Sequence, residues 1–182
     1  QVGYERVEET EDPEKTIERA MQTYLAKGYS TAWINQRLKS IEVRKELTDE
    51  WQQRGVQKGD EFAILTDEIT RAWSGHTVRD YKKLKDLKKE NLRDNMTNLE
   101  LVLNMLAEAA TTEISKEKKP RDFDQNKIVA RQGGAVAGGA RREIEGRTGK
   151  PVVTSKNARD LSAGGDEKVR KSLDNRKGKK PS

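Results

Sequence analysis

Cysteine is absent from the 182 residues, so no disulfide and no Cys-based zinc site organises this chain. The same absence fits a reducing compartment, and the reading places the protein in the cytoplasm. Histidine occurs once, at His76, without the companions that a His-based triad or a transition-metal site requires. His76 is therefore expected to be a loop residue with no catalytic role. Aromatic residues are scarce, at 5%, and the three Trp (Trp33, Trp51, Trp73) all lie in the first 73 positions. No apolar run approaches the roughly 18 residues of a membrane span, and no secretory pattern is present. With 32% hydrophobic and 37% charged residues, the chain is too polar for one large core throughout.

Charge is unevenly spread. Residues 116–182 hold 19 Lys and Arg against 9 Asp and Glu, leaving 18 against 22 in residues 1–115. A basic C-terminal third on a mildly acidic body fits either a polyanion partner or a lysine-rich solvated tail. The chain starts at Gln1 rather than Met, and an upstream portion is expected beyond it.

What is abundant is helical punctuation. Asp12-Pro13-Glu14 suits a helix start, Ile17, Met21, Tyr24 and Leu25 share a face, and Gly28 supplies the stop. Ser30 caps a second helix carrying Trp33, Ile34, Leu38, Ile41, Leu47 and Trp51. These two helices are expected to pack as a hairpin. A third helix runs from about Gly59 to Trp73. A basic helix follows over 77–93, and Thr97-Asn98-Leu99-Glu100 reads as a capping box. The box opens the most hydrophobic helix, 99–114, whose breadth implies a central core helix or an oligomer seam. The predicted fold is all-α: a compact helical body of about five helices over 1–115, then a linker and glycine-interrupted helix over 116–154, then a disordered basic tail over 155–182.

Two glycine-rich stretches invite nucleotide readings and fail them. No strand precedes Gly133–Gly139, and its spacing departs from GxGxxG. Gly134 and Gly138 stand four apart, which predicts a small-residue face that a second helix approaches closely; plain flexibility of the stretch is the alternative. Gly146-Arg147-Thr148-Gly149-Lys150 is followed by Pro151 where a phosphate loop needs Ser or Thr. Asp60, Glu61, Asp67 and Glu68 are spaced for solvation and salt bridges. No catalytic residue, cofactor or metal site is predicted.

Two basic patches are the candidate nucleic-acid contacts. The first is Arg79, Lys82, Lys83, Lys88, Lys89 and Arg93, most of which could share one helical flank and meet phosphates without sequence preference. The second is Arg131, Arg141, Arg142, Arg147 and Lys150. Either patch can equally be a solvent-facing amphipathic surface. Leu103, Leu106, Gly134 and Gly138 are the candidate seam for a homo-oligomer or protein partner.

Several segments carry a resemblance. Lys27-Gly28-Tyr29-Ser30, the run from Trp33 through Trp51, Phe62-Ala63-Ile64-Leu65, the run from Leu87 through Thr97, and Ala109-Ala110-Thr111-Thr112-Glu113-Ile114 resemble the C-terminal region of Bro-N-containing prophage antirepressor-type proteins. They are similar also to the C-terminal half of the DNA-damage-inducible D-type proteins. The likeness covers roughly 1–158 and is strongest over 27–114; residues 1–9 resemble the end of a preceding Bro-N domain. It implies a non-enzymatic regulatory module that associates with DNA, with a phage repressor or recombination filament as protein partner, and no membrane. Alternatively, the piece is a protein-interaction and oligomerisation module that leaves DNA contact to the Bro-N domain. The resemblance transfers no catalytic residues.

Overall fold

The computed structural model describes residues 13–159, with side chains from Thr16 onward. The described residues are all-helical and contain no strand. The helices are α1 (Pro13–Ala26), α2 (Thr31–Gln53), α3 (Asp60–Ser74), α4 (Val78–Leu84), α5 (Asn98–Lys118) and α6 (Phe123–Thr148), with a 3-10 turn at Arg93–Asn95. No helix among these residues is long and apolar enough to cross a membrane.

Local chemistry sets most of the boundaries. The Ser30 side chain accepts the Trp33 N–H at the start of α2, and Gly75 closes α3 in the left-handed region at φ 79°. At α5, Thr97 accepts the Glu100 N–H while the Glu100 carboxylate accepts the Thr97 N–H, completing the expected capping box. Asp122 caps α6 by accepting from Gln125 N–H.

Helix α5 occupies the centre, packed against α2, α3 and α6. Leu101, Leu103 and Ala107 join Ile34, Leu47, Trp51, Leu65, Ile69 and Trp73 in the core. Each fully buried large aliphatic side chain stabilises by roughly 1.5–3 kcal/mol. A polar column runs along the same helix: Glu100, Asn104, Glu108, Thr112 and Ser115 are all buried.

One expectation is corrected. Helix α6 is not interrupted by its glycines; it runs unbroken from Phe123 to Thr148. A Cβ on Gly133 would lie 2.6 Å from the Thr111 backbone, one on Gly134 2.7 Å from the Ile69 carbonyl oxygen, and one on Gly138 2.5 Å from the Ala72 carbonyl oxygen. The glycines thus bring α6 onto α5 and α3, and this close packing offsets their poor helix propensity. Near residue 115, α5 continues to Lys118, and α6 packs on α5 and α3. The seam expected at Leu103, Gly134 and Gly138 is internal, since all three residues are buried within the chain. Beyond residue 159 the expected disordered tail lies outside the described residues, as do residues 1–9.

A contrast among the glycines follows. Gly134→Ala or Gly138→Ala must push backbones apart, so each is expected to cost about 1–3 kcal/mol in urea denaturation. Gly139 lies in the same helix with nothing within 4 Å of a Cβ, and Gly139→Ala is expected to stabilise by up to about 1 kcal/mol. Equal responses at all three positions would contradict this packing.

Candidate nucleic-acid interface

The Lys-rich segment is not one helix. Thr77 caps α4 by accepting from Asp80 N–H, and Asp67 on α3 accepts the Val78 N–H at 2.7 Å, pinning the start of α4. The helix ends after Leu84, and Asp86 takes a left-handed conformation at φ 54°. The expected basic helix over 77–93 is therefore corrected to a short helix followed by an irregular strap. Lys85 stands at the end of α4, one helical turn after the buried Tyr81, and is buried on the same side. Its ammonium pairs with Glu100 at 2.8 Å, and both side chains are 0% exposed. Glu100 also accepts the Tyr81 hydroxyl at 2.7 Å and the Thr154 N–H at 3.2 Å. Burial, and next the Glu100 carboxylate, push the Tyr81 phenol far above its ordinary value.

The strap is anchored at its far end by α1 and α2. Asp94 accepts from the Tyr24 hydroxyl at 2.9 Å and from Arg37 Nε at 2.8 Å, while Trp33 Nε1 donates to the Met96 carbonyl at 2.8 Å. The Tyr29 hydroxyl donates to the Asp94 carbonyl, and the Tyr29 ring stacks on Trp33 with centroids 4.1 Å apart. Burial raises both phenols above their usual pKa.

Between this strap, α3 and α4 lies a two-part cleft. Its outer part, about 690 Å³, is lined by Arg44, Phe62, Asp67, Arg79 and Lys82 among others. A smaller recess of about 170 Å³ adjoins it, lined by Thr70, Asn91, Leu92, Arg93, Met96 and Asn104. Thr66, Val78 and Lys82 line both parts. Beneath them two guanidinium groups share one carboxylate oxygen: Glu108 Oε1 lies 2.6 Å from Arg93 Nη2 and 3.3 Å from Arg44 Nη1. Arg44 Nη2 also donates to Thr66 Oγ1 at 2.7 Å. Desolvation lowers the Arg44 pKa, Glu108 opposes that fall, and the like charge of Arg93 adds to it. Asn104 Nδ2, Arg93 Nε and Glu108 Oε2 are buried without a hydrogen-bond partner.

The two basic patches differ in what their cations already do. In the first, Arg79 and Lys82 line the cleft, while Lys83, Lys88 and Lys89 are exposed along α4 and the strap. Lys83 approaches Asp80 no closer than 3.9 Å, a weak exposed pair. Arg93 is half-buried and committed to Glu108 through one end of its guanidinium. In the second patch, Arg131 makes a fork to Glu68 at 2.7 and 3.2 Å. That hydrogen bond lowers the Glu68 pKa. Arg141 donates to the Trp73 carbonyl at 2.8 Å and pairs with Glu145 at 2.6 Å, and Arg147 pairs with Glu143 at 2.7 Å. Arg142 and Lys150 are exposed. The second patch thus spends three arginines on intrachain carboxylates.

Of the expected seam, Leu106 alone reaches the surface, at 38% exposure. Leu99 and Val102, at 40% and 39%, stand on the same face of α5 at helical spacing.

Sequence reasoning did not single out Arg44, Thr66, Asn104 or Glu108. A signal existed for the last two: Glu100, Asn104 and Glu108 recur every four residues inside the most apolar helix, the mark of an inward polar line. Among the described residues no cluster of His, Asp and Glu could hold a metal ion. Compared with family models, curated proteins and solved structures, the chain matches none.

Proposed function

We propose that this chain is a non-enzymatic regulatory module, of the prophage antirepressor or damage-inducible type that its sequence resembles, and that it associates with nucleic acid through the α4–strap face. The observation that carries this reading is the row of cations at Arg79, Lys82, Lys88 and Lys89 that pair with no carboxylate among the described residues, beside a cleft lined by two arginines on one glutamate. Such cations release condensed counterions when they meet phosphates, so affinity falls steeply with salt. The test is fluorescence anisotropy with single-stranded and duplex DNA from 50 to 200 mM salt. Binding at low salt with a steep inverse salt dependence is expected. Undetectable binding at the lowest salt would end the reading.

A second reading rests on the exposed Leu99, Val102 and Leu106 face of α5. An apolar stripe at this spacing suits an amphipathic partner, either a regulatory protein or a second copy. Leu99→Ser with Leu106→Ser would then abolish association in sedimentation while leaving DNA affinity intact.

A further inference from the structure

We propose that the inner recess of the cleft binds a terminal phosphate monoester, such as the end of a nucleic-acid strand. This deepens the nucleic-acid reading above and rests on it. Three observations converge. Asn104 is 2% exposed, lines the recess, and has an Nδ2 with no acceptor. Arg93 lines the same recess, and its Nε is likewise a buried donor without a partner. A buried donor left unmade costs about 1–3 kcal/mol, so two on residues that line one recess call for an acceptor there.

Charge points to an anion. Around the cleft Arg44, Arg79, Lys82 and Arg93 face Glu108 and Asp67, a surplus of two positive charges. A phosphate monoester carries about −1.5 to −2 at neutral pH and offers three acceptor oxygens, matching both the surplus and the free donors. Geometry selects the monoester over the diester. A recess of about 170 Å³ with Asn104 in its lining admits a group that enters oxygens first. A mid-strand phosphate carries a sugar on each side and stays at the rim, where Arg79 and Lys82 stand. Glu108 Oε2, also unpartnered, lies one turn beyond Asn104, so water bridging these two groups is the competing occupant.

The experiment uses the full chain and labelled single strands of one sequence bearing a 5′-phosphate, a 3′-phosphate or hydroxyl ends. A phosphorylated end is expected to bind about tenfold or more tightly than hydroxyl ends, and inorganic phosphate or a nucleoside monophosphate is expected to erase that preference. Asn104→Leu should bring the three strands to equal affinity. Should that variant not fold, Lys82→Gln, at the half-exposed rim, reads the same preference. Equal affinities in the wild type overturn the inference while sparing the nucleic-acid reading, and leave solvent in the recess. If no strand binds at all, thermal melting with inorganic phosphate or a nucleoside monophosphate against chloride of equal ionic strength decides separately. A saturable rise in Tm that Asn104→Leu removes assigns the recess to a free phosphate, and no rise overturns the inference as well.

Discussion

Replacing Glu100 by Ala is expected to destabilise the protein by about 3–5 kcal/mol, the range for breaking a buried ion pair from one side. The variant leaves the Lys85 ammonium at 0% exposure with no carboxylate, and strips the Tyr81 hydroxyl and the Thr154 N–H of their acceptor. For a chain of this size each kcal/mol shifts Tm by roughly 2–4 °C, so a fall of about 6–20 °C is expected. The measurement is urea denaturation followed by circular dichroism. Removing both charges together, as Lys85→Met with Glu100→Leu, should recover part of the loss, because the unpaired charge disappears while the Tyr81 hydroxyl and the Thr154 N–H still lack their acceptor. Lys45–Asp49 is the contrast: it is an exposed i,i+4 pair, and its loss should cost no more than about 0.5 kcal/mol. A cost below about 1 kcal/mol for Glu100→Ala would mean that Lys85 reaches solvent and the strap is not pinned. The same contact bears on the recess, to which the strap supplies Asn91, Leu92, Arg93 and Met96.

The second large effect concerns DNA. Changing Lys82, Lys83, Lys88 and Lys89 together to Gln is expected to flatten the slope of log affinity against log salt by roughly 3 to 4, at about 0.9 per lost phosphate contact on duplex. Between 50 and 200 mM salt, four such contacts account for on the order of a hundredfold change in affinity. These lysines are not buried, so Tm should stay within a few degrees. Arg131→Gln with Arg147→Gln is the matched control. Those side chains already pair with Glu68 and Glu143, and their loss should leave the slope nearly unchanged. A flatter slope in the control than in the lysine variant would move the interface to α6.

Which parts were legible in the sequence depends on how local their causes are. Ser30, Gly75 and the Thr97–Glu100 box act within four residues of themselves, and each stands where its type predicts. Gly134 and Gly138 announced a close helix approach by their spacing, without saying which helix approaches. The answer, α3 of the same chain, comes from the chain path. Lys85 and Lys88 look alike in sequence. Lys85 follows the buried Tyr81 by one helical turn and meets Glu100, whereas Lys88 lies beyond the turn at Asp86 and is exposed. Nothing periodic in residues 77–93 encodes that turn, since Asp at positive φ is uncommon.

From composition and spacing alone follow the all-helical class, the start and stop of most helices, and the richness of the 79–93 segment in cations. Helix formation is a short-range matter of propensity, capping and i to i+4 contacts, which the chain carries with it wherever it goes. The Arg141–Glu145 and Arg147–Glu143 pairs are likewise i,i+4 contacts within α6, whereas which arginines reach Glu68 and Glu108, and how Arg44, Arg93 and Asn104 come to line one cleft, were decided by tertiary packing. The Glu68 and Glu108 pairs join residues 15 to 64 positions apart, and only the folded path sets those distances.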